Sequence, residues 1–140
     1  MESSPNFARN TNIMKDIQNL DDIKLMVNTF YEKVKVDTLI GPVFNGIIKD
    51  WEPHLNKMYG FWETVLLDVH SYSGSPFPPH AKMPLEQIHF ERWLLLFFQT
   101  IDSIFEGEKA EEAKWRAEKM AEMFHHKIEY FKKSGQKPLI

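Results

Sequence analysis

Four stretches of this chain carry apolar residues at the three- and four-residue spacing of one helix face, and this pattern constrains the fold most. Because a helix turns once every 3.6 residues, such positions form an apolar stripe that has to pack against other elements. No stretch alternates apolar and polar residues as a half-buried strand does. The sequence therefore predicts an all-α domain of four long helices. In chain order the stripes are Ile23, Met26, Val27, Phe30, Tyr31 and Val34; Trp51, Leu55, Met58, Trp62, Val65, Leu66 and Val69; Phe90, Trp93, Leu94, Phe97, Phe98, Ile101 and Ile104; and Ala113, Ala117, Met120, Ala121, Phe124, Ile128 and Phe131.

Proline, glycine and capping residues indicate where these helices begin and end. The first helix ends at Gly41-Pro42, and a short segment over 43–48 leads to the second, which Asp50 can cap. Residues 70–84 contain four prolines and are too broken for a long helix. The third helix begins just after that segment and ends near Gly107, and the fourth follows over about 108–132.

The chain is organised as one domain with short ends. Its 140 residues allow a single core and are too few for two comfortable ones. The first twenty residues are polar and aperiodic. We predict an N-terminal extension over 1–20, a domain over 21–134 and a short tail over 135–140.

Composition excludes several classes of function. With no cysteine, the chain has no disulfide, thiol nucleophile or cysteine-ligated metal centre. A net charge of -3 disfavours nucleic-acid binding, and the longest apolar run, 93–98, is far shorter than the roughly 20 residues that span a membrane. The start, Met1-Glu-Ser-Ser-Pro, lacks the basic and apolar segments of a signal peptide, so we expect a cytoplasmic protein.

Two histidines are the main reactive candidates, since no glycine-rich phosphate loop, nucleophile elbow or zinc-binding His-Glu-x-x-His motif occurs. His54 lies one turn before Met58 beside the apolar stripe, where it either faces a cavity or is a core histidine bonded to a carbonyl. His80 follows two prolines inside the broken segment, so its imidazole is either pre-oriented for function or simply exposed in a loop.

Tyr31 and Trp93 each place a polar hydrogen inside an apolar stripe. For either residue alone, ordinary core packing explains the pattern. Together with a buried His54, however, they would form a polar pocket in an aromatic-rich core, and such a pocket suits a flat apolar cofactor.

Two other classes of protein remain open at this point. A di-iron bundle uses Glu-x-x-His on two helices and one glutamate from each of the others. A cofactor-free helical interaction module is the other alternative. The residues that match the di-iron pattern are Glu86 and His89, Glu122 and His125, with Glu32 and Glu63.

Several motifs together resemble the group III truncated hemoglobins. The resemblance covers roughly residues 21–133, and the glycine pairs typical of groups I and II are missing, which agrees with group III. The matching motifs, in order, are Phe30-Tyr31-Glu32-Lys33-Val34, Gly41-Pro42-Val43-Phe44, Trp51-x-x-His54, Phe61-Trp62, Tyr72-Ser73-Gly74-Ser75-Pro76, His80, and His89-Phe90-Glu91-Arg92-Trp93-Leu94.

This resemblance implies a two-over-two helical sandwich around heme b. His80 corresponds to the histidine that binds the iron, and Lys57 to a lysine that can reach a heme propionate. The remaining matches divide into distal polar positions, where ligands bind, and apolar walls. The distal positions are Tyr31, His54 and Trp93, and the walls are Phe44, Met58, Phe61 and Trp62.

The implied function is binding of O2, CO, NO or peroxide at a five-coordinate iron. Two hydrogen-bond donors, Tyr31 and Trp93, would slow the release of oxygen, which favours NO dioxygenation or peroxide reduction over bulk transport. In peroxide reduction His54 would be the general base. We further expect an unidentified reductase as partner and a monomer or weak dimer. A simple oxygen storage or carrier globin is the alternative within this family.

Overall fold

The computed structural model describes residues 14–72 and 84–134. Within these ranges it contains helices and no strands. The predicted all-α fold is confirmed. The helices are α1 (Leu20–Val36), α2 (Gly41–Ile47), α3 (Trp51–Leu67), α4 (Gln87–Ile104) and α5 (Glu108–Ser134).

The long helices pack as two pairs. Helix α1 packs against α3 and α4, α4 packs against α5, and α3 also reaches α5. The apolar stripes face this common interior, where Phe97, Ile101 and Leu66 are almost completely buried. Val69, which was predicted on the second stripe, lies beyond the end of α3 and is exposed. Within the described ranges, no helix is long and apolar enough to cross a membrane.

Side-chain caps fix where α1 and α3 begin. The Asn19 side chain accepts a hydrogen bond from the Asp22 N–H at 3.0 Å, and the Asp50 side chain accepts one from the Glu52 N–H at 3.3 Å. Each cap satisfies a backbone donor that the first turn leaves without a partner in the helix. The predicted cap at Asp50 is therefore confirmed, and it makes Trp51 the first residue of α3.

The prediction ended the first helix at Gly41-Pro42 and placed a bridge after it, but α1 ends at Val36 and Gly41-Pro42 begins the seven-residue helix α2. Seven residues are too few to show helical periodicity, and Pro42 lies in the first turn, where helices tolerate it. A Cβ atom on Gly41 would lie 2.9 Å from the carbonyl oxygens of Val34 and Lys35. The close approach of α2 to the end of α1 therefore requires glycine, and it buries Phe44.

Part of the segment predicted as an extension packs on the domain. Ile17 is buried, and the Asp16 carboxylate accepts hydrogen bonds from the N–H groups of Lys109 and Ala110 at 2.8 and 2.9 Å. Asp16 thus caps α5 from a distance of more than ninety residues along the chain. The boundary drawn at residue 20 stays a prediction, but the packing includes at least residues 16 and 17.

Candidate functional site

An apolar cavity lies between α1, α3, α4 and α5. Its enclosed volume is about 60 Å³. Aromatic and aliphatic side chains form most of its surface. They are Phe30, Tyr31, Phe44, Met58, Phe61, Trp62, Leu85, His89, Phe90, Trp93, Met120, Ala121 and Phe124.

Most of the residues predicted for a pocket lie on its wall. His54 and Lys57 are not among the described lining residues: the His54 ring packs edge-on against Tyr31, and the Lys57 side chain is exposed on α3. His80 falls outside the described residues. The predicted residues that line the cavity are Tyr31, Phe44, Met58, Phe61, Trp62 and Trp93.

Stacked aromatic rings support two residues of the cavity wall, Trp62 and Trp93. The Phe97 ring lies between Trp62 and Trp93, with centroid distances of 5.2 and 5.7 Å and interplanar angles of 19° and 6°. Phe30 contacts Trp93 edge-on at 5.5 Å. Because Phe97 is fully buried, this stack cannot shift without disturbing the core. Core packing therefore fixes the positions of Trp62 and Trp93 on the cavity wall.

Tyr31 supplies a buried hydroxyl to this apolar space. Only 6% of the residue is exposed, and burial raises the pKa of its phenol well above the usual value. An apolar environment disfavours the phenolate, so the group stays protonated at any physiological pH. Tyr31 is consequently a hydrogen-bond donor in the cavity.

His54 belongs to a cluster of three rings next to Tyr31. The His54 ring contacts Tyr31 at 5.2 Å and Trp51 at 5.8 Å, and Trp51 contacts Tyr31 at 5.5 Å between centroids. The Nε2 atom of His54 is buried from solvent. We call Tyr31, Trp51 and His54 the distal ring cluster.

The opposite wall contains residues that were predicted as core but not as pocket. Phe90, Met120 and Phe124 lie on predicted stripes, and the sequence holds no signal that separates a side chain facing a cavity from one facing a helix. His89 had been considered only as an iron ligand. Its Nδ1 accepts a hydrogen bond from the Glu86 N–H at 2.9 Å, so it caps the start of α4.

The di-iron alternative has no support in the described part of the chain. There, no group of three or more His, Asp or Glu side chains could hold a metal ion. His89 serves as a cap, and two of the other candidate ligands, Glu122 and His125, form surface pairs on α5. Glu122 lies 3.6 Å from Lys119, and His125 lies 3.8 Å from Glu129.

Comparison with known proteins identifies the family. Residues 12–129 match the bacterial-like globin family. The Group 3 truncated hemoglobin ctb of Campylobacter jejuni is 32% identical over 115 residues, which are 79% of this chain and 91% of that protein. The crystal structure of the group III truncated hemoglobin from Campylobacter jejuni superimposes with a TM-score of 0.76 at 30% identity, covering 83% of this chain and 95% of that one.

The chain belongs to the group III truncated hemoglobins. This confirms the resemblance and the truncated globin fold predicted from the sequence. Globins are heme b proteins that bind small diatomic ligands, so membership gives this truncated hemoglobin heme b as its cofactor.

The cavity of this truncated hemoglobin fits such a group. A porphyrin is mostly apolar, and Trp62 and Trp93, which line the cavity and stack against Phe97, give the cavity aromatic and apolar surface. The buried phenol of Tyr31 adds one donor to a space otherwise short of polar groups. Placement of a few polar groups in an apolar cleft is typical of cofactor sites.

Proposed function

We propose that this protein uses heme b for redox chemistry on reactive nitrogen or oxygen species, by NO dioxygenation or peroxide reduction, rather than for bulk oxygen transport. The observation that supports this proposal is the buried, protonated Tyr31 hydroxyl on the wall of the aromatic cavity. Heme, when bound, supplies an iron that takes a diatomic ligand or peroxide and exchanges electrons with it.

The distal donors would hold a ligand that carries partial negative charge. Tyr31 donates through its hydroxyl and Trp93 through its indole N–H, and both side chains line the cavity. A charge-assisted hydrogen bond contributes roughly 1.5–3 kcal/mol, and each 1.4 kcal/mol is about a tenfold change in an equilibrium. Two such bonds make release slow, which suits reaction of the held ligand and not its delivery.

The other side chains have supporting roles in this proposal. Phe44, Met58 and Phe61 exclude water from the ligand side of the pocket, since each lies on the cavity wall. His80 would hold the iron, and Lys57, exposed on α3, would reach a heme propionate by extending its chain.

His54 would act as a general base on peroxide. Its ring contacts Tyr31 but is not among the described residues that line the cavity, so this role requires the ring to turn inward. Catalytic contacts often form only when the ligand is bound, and the present geometry is consistent with that role.

We also expect a reductase to return the iron to its ferrous form, and a monomer or weak dimer in the cytoplasm. Electron supply is needed in either reaction, because both leave the iron oxidised. No membrane or nucleic-acid partner is part of this proposal.

An absorption spectrum tests cofactor binding, and the oxygen release rate tests the redox role. A strong Soret band that shifts on reduction and CO addition is expected for the wild type, and His80→Ala is expected to lose tight heme binding. His70→Ala, which changes an exposed histidine just before the same segment, is the matched control. Oxygen release as fast as that of a storage globin would contradict the redox role, and normal heme uptake by His80→Ala would contradict the iron ligand.

A further inference from the structure

Trp51 occupies a position that neither the cavity nor the α3 cap explains. It is the first residue of α3 and is half-buried, yet it is absent from the described residues that line the cavity. Its ring instead contacts Tyr31 and His54, with interplanar angles of 58° and 84°. Edge-to-face contacts of this kind are favourable and depend on orientation.

The residues that contact Trp51 come from two helices, α1 and α3. On α3, Trp51 and His54 are three residues apart and share one face, and on α1 Tyr31 and Lys35 are four apart and share another. The Lys35 Nζ lies 4.8 Å from the centre of the Trp51 ring, within the range of a cation–π contact. The same ammonium lies 3.5 Å from a Glu32 carboxylate oxygen, which keeps it on this face of α1.

The Trp51 ring is therefore held from two sides. Lys35 contacts it from α1, while Tyr31 and His54 contact it from within the distal ring cluster. Any turn of the His54 ring away from this orientation breaks its edge contact with Trp51. Trp51 therefore stabilises the orientation in which His54 packs beside Tyr31.

We propose that Trp51 is a positioning residue that holds the His54 ring beside Tyr31, and that it thereby sets how often His54 turns into the cavity. The inference rests on the proposed function, since an inward His54 matters only when heme and its ligand occupy that cavity. Loss of one aromatic contact corresponds to roughly a two- to tenfold change in population.

The first test compares Trp51→Leu with the wild type in the heme-bound ferric protein. An inward imidazole would occupy the sixth position of the iron and give a low-spin spectrum. We expect the ratio of low-spin to high-spin protein to rise about two- to tenfold in Trp51→Leu. Trp51→Phe keeps an aromatic edge and is expected to return most of the way to the wild type.

Two controls separate positioning from general damage. Trp115→Leu removes an exposed tryptophan on α5 that also lies near cations, Arg116 and Lys119, and should leave the spectrum unchanged. His54→Leu combined with Trp51→Leu should abolish the low-spin increase. A wild-type spectrum in Trp51→Leu, or an increase that persists without His54, would overturn the proposal.

A second measurement does not depend on spin state. In the diamagnetic ferrous CO complex of histidine-labelled protein, the His54 ring protons should feel the ring currents of Trp51 and Tyr31. We expect Trp51→Leu to move their NMR shifts toward those of the exposed His126. Unchanged His54 shifts would contradict the inferred contact.

Lys35→Met provides a variant that leaves the packed rings in place. Removing the cation should raise the low-spin fraction in the same direction but by less than Trp51→Leu, and Lys35→Arg should not. If Trp51→Leu does not fold, an unchanged spectrum in Lys35→Met overturns the proposal. A wild type that takes up no heme would instead overturn the proposed function, and the histidine spectrum of that protein would still decide whether Trp51 fixes His54.

Discussion

Tyr31 carries the first prediction at the scale of single residues. Replacing it with phenylalanine keeps the ring contacts to Phe30 and Trp51 but removes the hydroxyl that burial holds in its protonated form. We expect Tyr31→Phe to bind heme normally and to release oxygen about 10- to 100-fold faster, as loss of a charge-assisted bond implies. Stopped-flow displacement of oxygen by CO measures this rate.

Tyr59→Phe is the matched control for that experiment. The Tyr59 hydroxyl donates to the Asn28 side chain at 2.5 Å on the outside of the α1–α3 pair, away from the cavity. Its loss should not change oxygen release. An equal acceleration in both variants would show that the Tyr31 hydroxyl acts on the fold and not on the ligand.

Gly107 carries a second prediction at this scale. Its φ is +145°, a conformation that side-chain-bearing residues rarely adopt, and a Cβ atom there would lie 2.5 Å from the Asp16 side chain. Since Asp16 caps α5, Gly107→Ala should strain the backbone and displace the cap together. We expect a loss of about 2–4 kcal/mol in the free energy of unfolding, measured by urea denaturation.

Gly46→Ala is the matched control, because the same change from glycine to alanine is expected to raise stability at that position. Gly46 lies in α2, and a Cβ atom there would meet no atom within 4 Å. Alanine in a helix is more favourable than glycine by roughly 0.5–1 kcal/mol, so this variant should be slightly more stable than the wild type. Equal losses in both variants would contradict the role assigned to Gly107.

At the scale of elements, Asp37 joins the end of α1 to α4. Its carboxylate accepts the N–H groups of Leu39 and Ile40 at 3.0 Å each and the Arg92 guanidinium at 2.7 Å. Burial acts to raise the pKa of this carboxyl, but the hydrogen bonds from Ile40, Arg92 and Leu39 outweigh it, so the pKa lies below its usual value.

That lowered pKa predicts an acid-dependent loss of stability. Because the folded pKa of Asp37 lies below the unfolded value of about 3.9, the stabilisation is complete above that value. It is lost as the pH falls through the folded pKa. Asp37→Asn should cost about 1–2 kcal/mol at pH 7 and should flatten the decline of stability below pH 4. Urea denaturation at several pH values measures both effects.

A surface aspartate provides the comparison for this pH series. Asp102 pairs with Lys114 at 2.8 Å but is largely exposed, and such pairs contribute little. Asp102→Asn should therefore reproduce the wild-type decline in acid. If Asp37→Asn also reproduces it, the Asp37 contacts do not hold α1 and α4 together in solution.

The elements also show how far sequence alone reaches. Long apolar stripes predict helices well, because the residues on a buried helix face recur every three to four positions whatever the helix packs against. Helix α2 was missed because seven residues span only two turns, and its existence depends on the contact of Gly41 with the end of α1. Likewise, nothing in the spacing reveals that Asp16 caps a helix far along the chain.

The site was predicted to the extent that its walls lie on stripes. The resemblance mapped Trp62, Met58 and Trp93 to a pocket, and the fold brings them together on a cavity wall, while their roles toward heme stay predictions. His54 was expected on the same wall, but a residue at the margin of a stripe can turn toward a neighbouring ring instead. Here that ring is Trp51, and the spacing of the two on α3 does not reveal which way His54 faces.

For the molecule as a whole, the cavity lies beside the middle of α5, which contributes Met120, Ala121 and Phe124 to its wall. Along α5, the small residues Ala110, Ala113 and Ala117 are almost completely buried. Small side chains allow neighbouring helices to approach closely. One turn further on, Ala121 is also buried, but it lies on the cavity wall and not in a packed contact. Alanine thus lies in a closely packed region at position 117 and on the cavity wall at position 121.

This contrast yields the last prediction. Ala121→Phe directs a ring into the cavity, whose enclosed volume is about 60 Å³, and burial of a phenyl group is favourable by roughly 1.5–3 kcal/mol. We expect the heme-free variant to be at least as stable as the heme-free wild type, while its heme affinity falls at least tenfold, because the ring occupies the cofactor's space.

Ala117→Phe inserts the same ring into a packed contact and should lose about 1–3 kcal/mol through overpacking. Urea denaturation of the heme-free proteins and titration with hemin measure the two properties separately. Equal destabilisation of both variants would mean that the space beside Ala121 is closed in solution. Unchanged hemin affinity in Ala121→Phe would place the cofactor elsewhere.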